Sequence, residues 1–392
     1  MNRLDSFLKV CHNQVVQGKK CFKYRLLANQ QVFQKAETWL SLCRHLYNCA
    51  LQQRIMVYRQ DKSSISCYSQ MKQLPNLKEV FAEYSEVGSQ VLQDVLERLD
   101  KAYQAFFRRV KNSEEPGFPR FKGRDRYDSF TLKQAGWKLE GKYLTISKVG
   151  RFKLRLSRPI EGVIKTITIR RSATDKWYVC LSCDNVPTKP LPPTGRSVGI
   201  DVGLESFLTT SDGMKIGNPR FFQTTKDILI KRQQRLSNRK KGSNRRQKAR
   251  VLVAKTFEKM NNQRRDFHFK VANQLLKYYD TICIEDMPAF NGNNHGLTRE
   301  MRDVAWFGFF SILKAKAEEA ERTIVEVPAK DTTQLCSQCG ARVPKDLSVR
   351  IHSCPICGLS IDRDFNAALN ILRVGQTLHA NSLAHGLRIP CL

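Results

Sequence analysis

Two sets of residues in this chain have the types and spacing to do chemistry. The first is Cys336-x2-Cys339 and Cys354-x2-Cys357, with Gly340 and Gly358 directly after each pair. A Cys-x2-Cys turn presents two thiolates on one side of a tight knuckle, and two knuckles supply the four sulfurs of a closed tetrahedral zinc site. Because protein fills every position, one structural Zn2+ is expected. The second set is acidic. Asp201 lies within Val198-Gly-Ile-Asp-Val, Glu285 ends Thr281-Ile-Cys-Ile-Glu, and Asp364 opens Phe365-Asn-Ala-Ala-Leu-Asn-Ile-Leu. A carboxylate in an apolar strand is costly to bury unless it is paired, metal-bound or at the strand's open end. Singly, each reads as a strand end or a helix cap. Together, two strands and a helix start suggest one acidic cluster, which repels itself without divalent cations. Mg2+ prefers such hard oxygen ligands, and two ions there would serve phosphodiester hydrolysis. Asp362 competes for the third place but suits helix capping, so Asp364 ranks first. His352 reads as a surface residue, and Cys180 and Cys183, in an apolar strand, as packing residues.

The elements that must position these residues are legible in outline. Residues 1–25 are short, basic and strand-like. Phe33, Trp39, Leu40, Cys43, Leu46, Tyr47 and Ala50 recur at helical spacing, as do Val91, Leu92, Val95, Leu96, Leu99, Ala102 and Tyr103. Pro116-Gly-Phe-Pro119 breaks that pattern, and residues 127–185 read as β. A proline-rich stretch from Pro187 to Gly195 reads as a linker, and a new unit starts at Ser197. Its strands lead to a basic helical pair divided at Gly242-Ser243-Asn244, then to the strand ending at Glu285, a Gly/Asn-rich loop at 291–296, a helix near 306–321 and a strand at 323–327.

Charge narrows the partner. With 67 Lys+Arg against 36 Asp+Glu the formal charge is +31, a surplus that a polyanion offsets. Sixteen of those cations fall between Lys226 and Lys270, against three acids. A one-sided hairpin of this kind favours phosphate contact over a merely solvated face, with Arg232, Arg239, Lys240, Arg245, Arg246 and Arg250 as candidate contacts. Tyr47, Arg120 and Lys122 are further candidates. No apolar run approaches the ~18 residues of a membrane span, and the polar N-terminus does not read as a secretory signal. The expectation is a cytoplasmic protein without a membrane partner.

Ile200-Asp201-Val-Gly-Leu, Ile284-Glu285-Asp-Met, Cys336-Ser-Gln-Cys-Gly with Cys354-Pro-Ile-Cys-Gly, and Asp362-Arg-Asp-Phe-Asn-Ala-Ala-Leu-Asn-Ile-Leu closely resemble TnpB proteins. These are transposon-encoded, RNA-guided DNA endonucleases related to type V CRISPR effectors. Lys23-Tyr-Arg-Leu, Gly117-Phe-Pro-Arg-Phe-Lys and Arg265-Asp-Phe-His-Phe-Lys extend the resemblance to about residue 375. It implies an α/β multidomain fold: an RNase H-like (RuvC) nuclease core with an inserted zinc ribbon, and an N-terminal β-barrel wedge domain carrying a helical recognition insertion. The implied segments are wedge at 1–28 and 126–195, recognition lobe at 29–125, nuclease at 196–330 and 361–375, and ribbon at 331–360. Residues 376–392 form a tail for which disorder is one reading. The resemblance also assigns Asp201, Glu285 and Asp364 to a Mg2+ triad, and implies as partners a guide RNA from the transposon end and a double-stranded DNA target. Base pairing would read the sequence while the protein reads a short adjacent motif. A catalytically silent RNA-guided regulator and a strand-transferring transposase stay open as alternatives.

Overall fold

The computed structural model describes residues 17–124, 126–286, 301, 303–329, 332–346 and 348–384. The Gly/Asn-rich loop at 291–296 lies outside them. The chain divides into two compact units, Lys19–Val186 and a second one running from Pro187 onward.

In the first unit, β1 (Gln17–Leu27) alternates, burying Phe22, Tyr24 and Leu26. The strands β2 (Ser129–Leu132), β3 (Trp137–Glu140), β4 (Tyr143–Ile146), β5 (Gly150–Arg155), β6 (Val163–Arg171) and β7 (Trp177–Pro187) join it in one sheet ordered β2-β6-β7-β1-β5-β4-β3. The first strand in sequence thus lies mid-sheet, and the intervening helices are an excursion from it. Helix α1 (Gln30–Asp61) starts where the Asn29 side chain accepts from Val32 N, 3.0 Å. Its buried stripe of Trp39, Leu40, Cys43, Leu46 and Tyr47 follows the predicted spacing. The short helices α2 (Cys67–Lys72) and α3 (Leu74–Val80) carry no comparable signal in the sequence. Helix α4 (Ser89–Lys111) buries Val91, Leu92, Val95, Leu96 and Leu99. Arg98, ion-paired to Asp94 at 2.7 Å, donates to Ser129 O and Thr131 Oγ1, fastening α4 to β2.

The second unit is a five-stranded mixed sheet with helices on both faces. Strands β8 (Ser197–Val202), β9 (Ser206–Thr210) and β10 (Lys215–Gly217) are successive antiparallel neighbours. After helices α5 (Phe221–Ser237) and α6 (Asn244–Tyr278), β11 (Thr281–Asp286) adds parallel to β8. Helix α7 (Trp306–Ala320) precedes β12 (Thr323–Pro328), which adds parallel to β11. The order is therefore β10-β9-β8-β11-β12. Val198, Ile200, Ile282 and Ile284 share a core with Leu275 of α6 and Phe309 and Leu313 of α7. Alternation sends the next residues of those strands to the opposite face. The small hairpin β13 (Ile351–Ser353) and β14 (Ser360–Asp362) leads into α8 (Arg363–Ala384).

Two expectations change here. The proline-rich stretch belongs to the second unit rather than spanning freely. The Asp280 carboxylate accepts from Thr194 N and Gly195 N, and Arg322, buried, pairs with Asp280 at 2.8 Å while donating to Pro192 O. The tail is helical through Ala384: α8 continues nine residues past Gly375 without a proline to stop it. Residues 385–392 lie outside the described residues.

Candidate metal centres and nucleic-acid interface

Register brings the first two acids together. Ile200 stands opposite Ile284 on the parallel pair β8/β11, so Asp201 and Glu285 follow at the same level and on the same face. Helix α8 covers that face. A Cβ on Gly199 would collide with the Ala368 carbonyl and the Leu372 amide, and one on Gly375 with the Cys283 side chain. Both glycines therefore permit a close helix–sheet approach, sealed by Cys283, Val325, Val327 and Ile371. That seat brings the α8 N-terminus, and Asp364 with it, beside the turn at Gly203, where a Cβ would stand 3.7 Å from Asp364 Oδ2.

The electrostatics match this proximity. Asp201 is buried, 8 % exposed. Burial first, then the charges of Asp364 and Glu285, push its carboxyl well above the usual range. Burial also raises Glu285, against the Thr332 hydroxyl that donates to its Oε1 at 2.7 Å. Asp364 Oδ1 lies 3.3 Å from Arg363 Nε. Among the described residues only the four cysteines place three or more ligand atoms within 4.8 Å of one another, so the carboxylates stand further apart than a closed ligand set. Such a half-buried, hard-oxygen donor set fits a cation that keeps part of its water shell, as Mg2+ does.

Asp362 has other work. Its Oδ1 accepts from Asp364 N and Phe365 N at 3.0 Å, capping α8, and its Oδ2 pairs with Lys215 at 2.7 Å. Despite partial burial, the Lys215 hydrogen bond and these amides hold it below the usual carboxylate range.

The four cysteines form a compact cage. Cys336 Sγ and Cys357 Sγ are 3.6 Å apart, as are Cys339 Sγ and Cys354 Sγ. A tetrahedron of sulfurs about 2.3 Å from zinc has edges of about 3.8 Å, so the cage fits that ion. The two knuckles are built alike: Gly340 N returns to Cys336 O and Gly358 N to Cys354 O, both at 2.9 Å. Gly340 and Gly358 take left-handed conformations, φ +75° and +74°. The backbone amide of Cys357, then that of Ile356, helps draw the Cys354 thiol down to about 6.

His352, read from sequence as a surface residue, is fully buried although it lies on the short strand β13. It contacts Lys345, and burial first, then that lysine, lower its pKa. Cys183 is packed inward as expected, whereas Cys180 is half-exposed on the other face of β7. A spacing of three on a strand separates the two sulfurs to opposite faces.

The candidate nucleic-acid residues are not alike in setting. The basic pair of helices forms as expected, with Ser243 capping α6. Within it, Arg246 Nη1 donates to Leu236 O and Arg239 O at 2.8 Å, and Arg232 Nη1 to Thr256 Oγ1 at 2.6 Å and Leu252 O. These two arginines build the hairpin. Arg250 bonds Gln247, while Lys240 and Arg245 are exposed. Tyr47 is buried, its ring against Tyr127 and under the Lys122 ammonium, so it is packed rather than presented for stacking. Lys122 is fixed through its backbone to Asn48, and Arg120 is exposed.

Sequence reasoning missed Thr332, Asn366 and Asn370. Asn366 and Asn370, nearly inaccessible, carried a signal: two amides four apart on an apolar helix face demand partners. Thr332 carried none.

Comparison with known proteins decides the family. A model described as "Probable transposase" (OrfB_IS605) matches residues 179–291, and one described as "Cas12f1-like, TNB domain" matches 306–371. A Streptomyces pristinaespiralis protein named "Putative RNA-guided DNA endonuclease" is 33 % identical over 383 residues, covering 95 % of this chain and 92 % of that one. The chain belongs to the TnpB family. Its Escherichia coli relative, "Putative RNA-guided DNA endonuclease InsQ", is 29 % identical, with 92 % and 93 % of the two chains covered. The cryo-EM structure of a Cas12f1–sgRNA–target DNA complex aligns with TM-score 0.54 at 16 % identity, over 88 % of this TnpB-family chain and 83 % of that one, which establishes a shared fold. A "Helix-turn-helix domain" model matches 18–63, a span that here holds β1 and the single continuous helix α1. Among the described residues no helix is long and apolar enough to cross a membrane.

Proposed function

We propose that this chain is an RNA-guided DNA endonuclease whose hydrolytic site is formed by Asp201, Glu285 and Asp364. The observation that carries the reading is the register of Asp201 and Glu285 on adjacent parallel strands, with Asp364 brought beside them by α8. Strand order β10-β9-β8-β11-β12, antiparallel then parallel, supports an RNase H-like (RuvC) core into which residues 331–360 insert a zinc ribbon. The relatives' names supply the RNA guide and the DNA target. On this reading the seven-stranded sheet is the wedge domain, and α1–α4 are its recognition insertion.

The three carboxylates would hold Mg2+, which supplies an activated water and stabilises the leaving 3′ oxygen when bound. The chain's own residues prepare that place. Burial of Asp201 makes its ionised form costly until a cation offsets the charge. Asp362, occupied by the α8 cap and Lys215, fixes the helix start from which Asp364 projects. The four cysteines would hold Zn2+ in a closed site with no open position, and so a structural one. Exposed cations on α6 and its preceding turn, Lys240 and Arg245 among them, face solvent where a phosphate backbone can reach them.

The test is reconstitution of the full chain with guide RNA, Mg2+ and a matching duplex. Cleavage is expected with the parent protein and is expected to vanish with Asp201→Ala, while guide RNA affinity stays nearly unchanged, since Asp201 is a buried carboxylate with no positive charge to offer a phosphate. Tight target binding without cutting by the parent protein, or joined DNA products, would replace this reading by a silent regulator or a strand transferase.

A further inference from the structure

Glu285 is the most loosely held member of the acidic set by sequence, since a glutamate has three side-chain torsions and ends its strand. In the fold it is not loose. The Thr332 hydroxyl donates to Glu285 Oε1 at 2.7 Å, across 47 residues of sequence. Thr332 is itself 4 % exposed, and its position is set by α8. Asn370 Nδ2 donates to Thr332 O at 3.0 Å and to Leu335 O at 2.7 Å. Asn366 Nδ2 adds a second donor to Leu335 O at 2.8 Å, and its Oδ1 accepts from Ser337 N at 2.9 Å. Ser337 follows the first cysteine of the zinc cage. Arg373 Nη2 donates to Asn370 Oδ1 at 3.2 Å, so the Asn370 amide is engaged at both ends. One continuous run of hydrogen bonds therefore leads from the first zinc knuckle, through two buried asparagines of α8, to the carboxylate of Glu285.

Such a run does more than stabilise. Buried amides satisfied on every side admit one arrangement of the segment they hold. The segment 332–337 cannot slide along α8 without breaking several of these bonds at once. Its threonine is thereby fixed against one oxygen of Glu285.

We propose that Thr332 is a positioning residue for Glu285, held in place by Asn370, so that the zinc ribbon and the acidic site are assembled as one unit. The inference rests on the reading of Asp201, Glu285 and Asp364 as cation ligands, and the experiment separates the two. Mn2+ binding to the full chain is measured by calorimetry, with zinc content and thermal melting recorded for each variant. Thr332→Val, which keeps the shape and removes the hydroxyl, is expected to weaken Mn2+ binding by about tenfold, the lower end of what removing a residue that holds a metal ligand costs. Zinc content and melting temperature should stay at parent values. Thr332→Ser is expected to restore binding. Asn370→Ala, which leaves the hydroxyl but frees its segment, should fall between the two. Parent-like Mn2+ binding by Thr332→Val overturns the positioning role, and parent-like binding by Asn370→Ala overturns the bracing half. Unchanged Mn2+ binding by Asp201→Ala would instead overturn the acidic site itself, and this inference with it.

Discussion

Replacing Gly199 by alanine probes the packing on which the acidic site depends. The added Cβ would stand 2.5 Å from Leu372 N and closer still to Ala368 O, where ordinary contact begins at 3.4 Å. Both obstacles are main-chain atoms, and Gly199 lies mid-strand in a sheet paired on both sides, so no side-chain rotation relieves the clash. Helix and strand must part by roughly 1 Å, a displacement that can cost about 10²-fold in rate when it moves a catalytic group. Overpacking of a close-packed interior costs about 1–3 kcal/mol, which lowers melting by roughly 2–12 °C for a unit of this size. The assay is paired: thermal melting of the full chain, and cleavage of a guide-matched duplex under single-turnover conditions. Gly199→Ala should lose far more activity than its stability loss explains at 25 °C. Parent-like melting together with parent-like cleavage would refute the seating of α8 against β8, and with it the placement of Asp364.

Three further expectations concern charge. Asp201 has a folded-state value raised by burial and by Asp364 and Glu285, so its contribution to stability is full below the unfolded value of about 3.9 and is lost as pH rises through the folded one. Metal-free protein should therefore melt lower as pH increases from about 4, and Asp201→Asn should flatten that dependence in the same melting series. On the basic hairpin, Arg246→Ala should destabilise by about 1–2 kcal/mol, because it strips the donor from Leu236 O and Arg239 O. Reversing the exposed Lys240, Arg245 and Lys248 to glutamate should leave melting unchanged. It should instead weaken nucleic-acid binding and reduce the salt slope by roughly 0.7–0.9 for each phosphate no longer neutralised, read from affinity at several salt concentrations.

Where local pattern decides the structure, the sequence was a sound guide. Trp39 to Ala50 and Val91 to Leu99 bury the predicted stripes, Ser243 caps the second basic helix, and the cysteine spacing builds the cage. Long-range packing was hidden. Nothing in Tyr47's neighbourhood distinguishes a core tyrosine from one offered for stacking; its burial comes from Tyr127, eighty residues on. His352 lies in a polar stretch, and only the fold of the small hairpin encloses it. Arg232 and Arg246 belong to a charge run whose composition says nothing of which cations point inward. The last turns of α8, residues 376–384, carry few large apolar residues, and helix propensity alone is a weak signal there. For the acidic residues, strand ends and a helix start were visible, but their common face required knowing that β11 adds parallel to β8.

The order of assembly follows from that topology. β8 is the first strand of its sheet in chain order and sits in the middle of that sheet, while the helix that covers its acidic face is the last described element of the chain. A nascent chain that has emerged only as far as β12 has strands in place but an open face, with Asp201 in water and no Asp364. Fragments produced by early termination or by a cut in the ribbon lack the same wall. On the proposed reading the acidic site is complete only once α8 has docked on β8 and β11, so its formation is tied to the last packing step of that sheet.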